Sequence, residues 1–225
     1  MIGSVHSIQI GKPRTFDGIG CGTERVRQTE NGAWTSAIIK EAIHDPVEVT
    51  TRGIFGDHQV DRRHHGGQEK AVLLYALKHY QGWRNRYDGI DFKPGAFGEN
   101  LTVEDLCEDS VCIGDQWQVS DVTLEISQPR QPCWKLARRW GLKELTKEVQ
   151  VRGNPGWYAR VLAEGTIQAG LPIRLLHRPY PDWTVKRLVR MLGDKKAAAK
   201  YREPLMKLSA LSDEYRRDLL PRLPA

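Results

Sequence analysis

Short alternating runs of hydrophobic and polar residues occupy most of the chain. Val5, Ile8 and Ile10 run into the turn Gly11-Lys12-Pro13. Trp34, Ala37 and Ile39 mark a second run, and Val47 and Val49 a third that closes at Gly53 and Gly56-Asp57. Ala71-Val72-Leu73-Leu74-Tyr75 is a compact apolar run of the kind a buried strand needs. Val111–Ile113, Trp117–Val119 and Val122–Ile126 alternate between Gly114-Asp115 and Ser120-Asp121, which predicts a β-meander. Trp157–Leu162, Thr166-Ile167 and Ile173–Leu176 predict further strands, turned at Glu164-Gly165 and Gly170-Leu171-Pro172. The period changes at Leu77, Tyr80, Trp83 and Tyr87, whose spacing predicts a helix over 77–87. It changes again from Lys135 to Val149, where a second helix is predicted, ended by Gly153-Asn154-Pro155-Gly156. Phe16–Asn31 and Phe92–Leu101 read as loops. Many short strands at even spacing favour a closed or nearly closed barrel over a parallel sheet.

The fold class is therefore mixed and mainly β. Residues 1–178 form a barrel domain with inserted helices, and 179–225 a small C-terminal helical bundle after the linker Pro179-Tyr180-Pro181. In that bundle Thr184 caps a helix carrying Val185, Leu188, Val189 and Leu192 and stopped by Gly193. Asp194 caps an Ala-rich helix interrupted before Pro204. Ser212 caps a third, with Asp213 and Glu214 in its first turn.

With 225 residues the chain has room for one full domain and a small appendage. No apolar run is long enough to span a bilayer, and the N-terminus lacks a basic segment followed by an apolar one, so a cytoplasmic protein without a membrane partner is expected. Four cysteines without a CxxC pair are expected to stay reduced. The formal net charge is +6, concentrated beyond Asp182. Solvated helix faces account for it. The tail has neither a glycine-turned helix-turn-helix nor an aromatic stacking surface, so nucleic acid is not an expected partner.

Three stretches carry candidate chemistry. In Ser127-Gln128-Pro129-Arg130-Gln131-Pro132-Cys133-Trp134-Lys135 two prolines stop a strand and leave a stiff exit loop ending in a single thiol. Arg130 and Lys135 flank it, and nearby positive charge favours thiolate, the form that ligates soft metals. Residue chemistry alone favours a plain buried cysteine at a strand-to-helix corner. The second stretch, 57–70, is dense in His and charge and ends in Gly66-Gly67, where backbone N–H groups can approach an anion. Asp57, His58, Asp61, His64 and His65 are metal-ligating types, but without an i, i+4 His pair zinc is not expected. The third, Gly98-Glu99-Asn100, offers an acceptor, an amide donor and an acid/base group on a glycine loop whose default meaning is a turn.

Taken together, His65-Gly66-Gly67 with Lys70-Ala71-Val72, Phe97-Gly98-Glu99-Asn100-Leu101, and Gln128-Pro129-Arg130-x-Pro132-Cys133-x-Lys135 resemble, in order and spacing, the MOSC family, named after the C-terminal domain of molybdenum-cofactor sulfurases. Gly156-Trp157-Tyr158-x-Arg160-Val161-Leu162 is similar to its later strands, and the basic tail to the three-helix module of the YiiM-type subgroup. Gly170-Leu171-Pro172 departs from the Gly-Asp turn common in relatives. The resemblance implies a β-barrel with a cationic cavity for a molybdenum-pterin cofactor, and reduction of small N-hydroxylated substrates such as 6-N-hydroxylaminopurine. Carried onto this chain, Cys133 would be the sulfur ligand of molybdenum. Arg130, Lys135, Lys70 and Arg63 would meet the cofactor phosphate. Gly66, Gly67, Gly98, Asn100 and Ser127 would shape the cofactor site. The resemblance places Glu99 and His65 nearby, and their acid/base chemistry makes either the expected proton relay. The chain shows no dinucleotide fingerprint and no ferredoxin-like cysteine set, so electrons are expected from an external flavin-containing reductase. A cofactor or persulfide carrier without turnover is the alternative on the same fold.

Overall fold

Alternating runs, with proline only at their ends, find partners on both edges, and the sheet they build closes on itself. The structure is a computed structural model that describes residues 2–17, 33–61, 65–193 and 201–219. Seven strands make the ring in the order β1 (Ile2–Ile10), β8 (Leu101–Glu104), β7 (Val72–Ala76), β11 (Trp157–Ala163), β10 (Val122–Pro129), β9 (Gln116–Val119) and β13 (Pro172–His177). Ile2 to Ser4 of β1 pair antiparallel with Arg174 to Pro172 of β13, which closes the barrel and removes the open edges. Only β7 and β8 run parallel within it. β4 (Glu41–Ile43) adds to β1, β2 (Arg14–Phe16) pairs with β3 (Trp34–Ser36), and β12 (Gly165–Ile167) pairs with β5 (Val47–Thr50), which pairs in turn with β6 (Gly53–Ile54).

Two cores result. The barrel interior is filled by alternate residues such as Val5, Ile8, Leu101, Val103, Trp117, Val119, Leu124 and Ile126. The tail shares this core. Val185, Leu188 and Val189 of α4 (Val185–Gly193), Leu205 of α5 (Arg202–Met206), and Tyr215 and Leu219 of α6 (Asp213–Leu219) belong to it. The described tail helices are thus packed onto the barrel. The second core joins α1 (His79–Arg86), α2 (Trp134–Trp140) and α3 (Leu145–Arg152) to the loop around Phe92 and Phe97. Tyr75 and Phe97 stack at 4.6 Å, and Phe92 meets Trp140 at 4.7 Å.

Three expected elements change. Val111–Ile113 is no strand of the meander. Its backbone is taken by the start of the tail, with Ile113 N–H donating to Trp183 O and Val185 N–H to Val111 O, both at 2.9 Å. The helix expected over 135–149 splits because Gly141, at φ 65°, ends α2 in the left-handed conformation. Pro204 lies inside α5 rather than before it, in the first turn, where a missing N–H costs no helical bond. Two of the tail caps behave as expected: Ser212 Oγ accepts from Tyr215 N–H at 3.1 Å, and Thr184 Oγ1 from Arg187 N–H at 3.1 Å. Most of the loop read over 16–31 and the helix capped by Asp194 lie outside the described residues.

Gly156 is a tight point near the site. It has φ +85°, and a Cβ there would stand 2.5 Å from the Leu74 carbonyl oxygen. Gly89 has φ +76° with nothing within 4 Å of the same added atom. Both alanine variants bear the left-handed penalty of about 1–2 kcal/mol, and only the first also drives a methyl into backbone. Gly156→Ala is expected to lower unfolding free energy by about 3 kcal/mol or more, and Gly89→Ala by about 1 kcal/mol, in urea titrations. Equal losses would place the strain elsewhere.

Candidate active site

Cys133 is held by what surrounds it in sequence. β10 ends at Pro129, and Cys133 becomes the extended residue before α2, with φ −105° and ψ 166°. The buried face of α2 fixes where that residue lies. Arg139 Nη1 donates to Ile38 O at 2.8 Å and to Gly95 O at 2.7 Å, and Trp140 Nε1 donates to Ala96 O at 2.9 Å. Thr146 Oγ1 donates to Cys133 O at 3.1 Å from α3. The helix is thereby clamped to the loop that carries Gly98 and Asn100.

Cys133 is half-buried and lines two cavities that meet at it. The first has about 620 Å³ of open space, its mouth included. Around it stand Lys40, Lys70, Arg130 and Lys135 against Asp57 and Asp61, with His58, His65, Gly98, Asn100 and Tyr158. The second, about 920 Å³ on the same measure, adds Trp134, Gln128, Gln131 and three residues of the tail, Glu214, Tyr215 and Asp218. Asp61, His65, Lys70, Cys133 and Tyr158 belong to both.

Most charges are spoken for. Lys40 is bonded to Asp57, which also accepts from Gly11 N–H at 2.7 Å, and burial pulls the Lys40 ammonium below its usual range against that pairing. Lys70 Nζ donates to Glu214 at 2.7 Å, so the tail partly neutralises a cation expected to meet phosphate. Arg130 is different. It is only 6% exposed, and its Nη1 is buried with no hydrogen-bond partner among the described residues. A buried guanidinium nitrogen without an acceptor is costly, and an anion in the cavity would relieve it. Burial, and then Arg130 and Lys135, push the His65 imidazole down to about 4, so it is neutral at pH 7. Burial pushes the Tyr158 phenol up to about 12, which keeps its proton in place.

The structure sorts the sequence-predicted residues. Cys133, His65, Lys70, Gly98, Asn100, Arg130 and Lys135 come together around the first cavity. Glu99 does not. It is fully buried, lines neither cavity, and accepts from the Tyr80 hydroxyl, from Gly95 N–H at 2.6 Å, from Phe97 N–H at 3.1 Å and from the Thr102 hydroxyl at 2.9 Å. A carboxylate with four donors organises the loop; of the two relay candidates only His65 lines the cavities. Ser127 is likewise structural. It is fully buried, with Oγ 2.5 Å from Glu69 O and 3.1 Å from Tyr158 O, and it ties the 3-10 turn Gln68–Lys70 to the barrel. Asn100 borders the cavity, but Oδ1 accepts from Leu73 N–H at 3.1 Å and Nδ2 donates to Gln9 O at 3.4 Å, bridging β7 and β1. Gly66 and Gly67 line neither cavity; Gly67, at φ 93°, opens the turn that delivers Lys70. Arg63 lies outside the described residues. Among the described residues no three His, Cys, Asp or Glu side chains gather as metal ligands.

Sequence reasoning missed Lys40, Tyr158, Trp134, Glu214 and Asp218 as cavity residues. Trp134, beside the singled-out cysteine, was the nearest to a signal. Nothing in the tail's sequence announces that its last described helix reaches Cys133.

A closed barrel with a cysteine corner and a cationic hollow defines a class, and comparison with known proteins gives the same one. The MOSC domain model matches residues 61–174, half of the chain, and the protein belongs to the MOSC family. Within it the chain is of the YiiM type. The crystal structure of YiiM from Geobacillus stearothermophilus superposes with TM-score 0.79 and 32% identity, covering 99% of this chain and 100% of that one. The uncharacterized protein YflK of Bacillus subtilis is 39% identical over 175 residues, 78% of this chain and 74% of that one. A Gibberella moniliformis protein named Reductase is 40% identical over 164 residues, 72% of this chain but only 29% of that longer one. Among the described residues no helix is long and apolar enough to cross a membrane.

Two measurements check this site. His65 followed by NMR should titrate near pH 4. Because its folded value lies below the unfolded one of about 6.5, the unfolded chain binds more protons in between, and stability should fall as pH drops from about 6.5 toward 4. His65→Asn should remove that part of the pH dependence. Glu99→Ala leaves four buried donors without an acceptor and is expected to cost about 3 kcal/mol or more in chemical denaturation. Loss of turnover without loss of stability would restore Glu99 to the chemistry.

Proposed function

We propose that this protein is a molybdenum-cofactor-dependent oxidoreductase that reduces small N-hydroxylated compounds, of the type 6-N-hydroxylaminopurine to adenine, in a detoxifying role. The single observation that carries the reading is the buried Arg130 nitrogen, without a partner among the described residues, in the same cavity as the half-buried Cys133. One asks for an anion and the other offers a soft metal donor, and a phosphate-bearing pterin with a redox metal combines the two. The residues present therefore fit the group the family implies. The fungal relative's name points to reduction, and that is said of the longer protein.

Cys133 would hold the metal. Arg130, with Lys135 beside it, would hold the phosphate, Arg as a fork and Lys as a point charge. Lys70 contributes less than its charge suggests, since Glu214 already binds it. The bound cofactor supplies the two-electron chemistry, and the protein positions substrate and protons around it. The overall change is R–NH–OH plus two electrons and two protons to R–NH2 and water. His65 lies between the cavities as a neutral imidazole. An anion seated against Arg130 and Lys135 would offset the positive field and raise its pKa, bringing it toward the range where it can deliver a proton at neutral pH. Tyr158 keeps its hydroxyl proton and can donate a hydrogen bond beside the same sulfur. An external flavin-containing reductase would supply the electrons. A carrier that only stores the cofactor or a persulfide needs no room beyond it, whereas a second cavity opens onto Cys133.

The test uses protein purified from cells that make the molybdenum cofactor. Cys133→Ser is expected to lower molybdenum and pterin per protein by about tenfold or more. Arg130→Met should lose cofactor retention, and the retention of the unmutated protein should weaken with added salt. The same Arg130→Met change should raise the stability of cofactor-free protein by about 1 kcal/mol or more, since it removes a buried unpaired charge. A destabilised cofactor-free Arg130→Met protein would make Arg130 a structural residue and remove the ground for the proposal.

A further inference from the structure

The two cavities differ in charge, and the difference comes from the tail. Around the first, four cations face two carboxylates. Around the second, among the described residues, Lys70 is the one cation against Asp61, Glu214 and Asp218, and Lys70 is itself bonded to Glu214. His65 adds no charge at pH 7. Cys133 stands on the boundary. On the acidic side the residue next to Cys133 is Trp134, 54% exposed although it is a large aromatic residue at the lip of a cavity. It is braced by Trp34, with ring centroids 5.8 Å apart, and by two cations, the Arg138 guanidinium 5.6 Å and Lys135 Nζ 5.9 Å from its ring. A supported but uncovered indole is a stacking platform for a flat ring. Glu214 and Asp218, on successive turns of α6, are acceptors for N–H groups at the ring edge.

We infer that the second cavity is the substrate subsite, and that α6 makes it selective for flat, N–H-rich heterocycles without negative charge. Trp134 stacks the ring, Glu214 and Asp218 accept from its N–H edge, and the same carboxylates repel a phosphorylated form of the molecule. The free base is therefore preferred over its nucleotide. The inference rests on the reductase reading only for which group on the ring reacts. Asp218 carries the cleanest test, because it is exposed and forms no ion pair among the described residues.

Two arms are run on the full-length protein. Calorimetry compares adenine with adenosine 5′-monophosphate as ligands, and turnover compares 6-N-hydroxylaminopurine with its ribonucleoside 5′-monophosphate. Adenine should bind and the monophosphate should bind more weakly. Asp218→Lys should shift the base-to-nucleotide preference toward the nucleotide by about fivefold or more at low salt, with a smaller shift at high salt. Trp134→Leu should weaken both ligands together, by about tenfold. Molybdenum and pterin content should stay the same in Asp218→Lys. Equal binding of base and nucleotide by the unmutated protein, or an unchanged preference in Asp218→Lys, overturns the inference. If the protein holds no molybdenum but the calorimetric preference follows Asp218, the reductase reading fails while the selectivity of α6 stands.

Discussion

A buried guanidinium that lacks an acceptor for one nitrogen among the described residues is the constraint on which the site depends. Arg130 is drawn inward because its own N–H donates to Gly156 O at 3.0 Å, which pins the chain between β10 and β11 just before the cysteine corner. Gly156 can take that role only without a side chain, since Leu74 O lies against it. The charge that results has nowhere to relax. It contributes to the depressed pKa of His65 and makes the first cavity a place for an anion. Proteins keep such arrangements when the cost in stability is returned as pre-organisation for a ligand.

Rigidity around that charge comes from the second core. Tyr75, Tyr80, Trp83, Phe92, Phe97 and Trp140 are packed in one aromatic cluster, and aromatic pairs of this kind hold geometry as well as area. The cluster joins β7, α1, the Phe92–Leu101 loop and α2, while Glu99 ties that loop internally with four accepted hydrogen bonds. Cys133, at the head of α2, is thereby fixed relative to Gly98 and Asn100, although more than thirty residues separate them in sequence. Motif residues thus divide by task. Cys133, Arg130, Lys135 and His65 face the cavity, while Glu99, Ser127 and Gly67 hold the frame that presents them.

The tail is both packing and chemistry. Its apolar residues complete the barrel core, and Ser212 of the turn before α6 bonds the Gln128 amide oxygen within it. The helix held there turns Glu214 toward Lys70 and brings Asp218 to the rim of the second cavity. Basic residues dominate the tail's composition, yet among the described residues the charged ones it contributes to the site, Glu214 and Asp218, are acidic. The sum of charges along a segment says nothing about which of them face inward.

Much of the barrel was legible in the sequence, because period-two alternation and glycine or proline turns act locally: β9, β10, β11 and β13 follow the runs that predict them. The helix ends at Gly153 and the caps at Thr184 and Ser212 were legible for the same reason. Motif order marked Cys133, Arg130, Lys135 and His65 as belonging together, and family resemblance named their company. Which acid lies in the cavity and which inside a loop was not legible. Glu99 and Glu214 are equivalent as letters, and only the donors that converge on the first, together with the long-range docking of α6, separate them. The sequence by itself determined the strands, the turns and the kinds of chemistry available. The tertiary structure alone decided the closure of the ring, the sharing of one core by barrel and tail, and the two faces of charge about Cys133. Each of these depends on contacts between residues far apart in the chain, which no local pattern encodes.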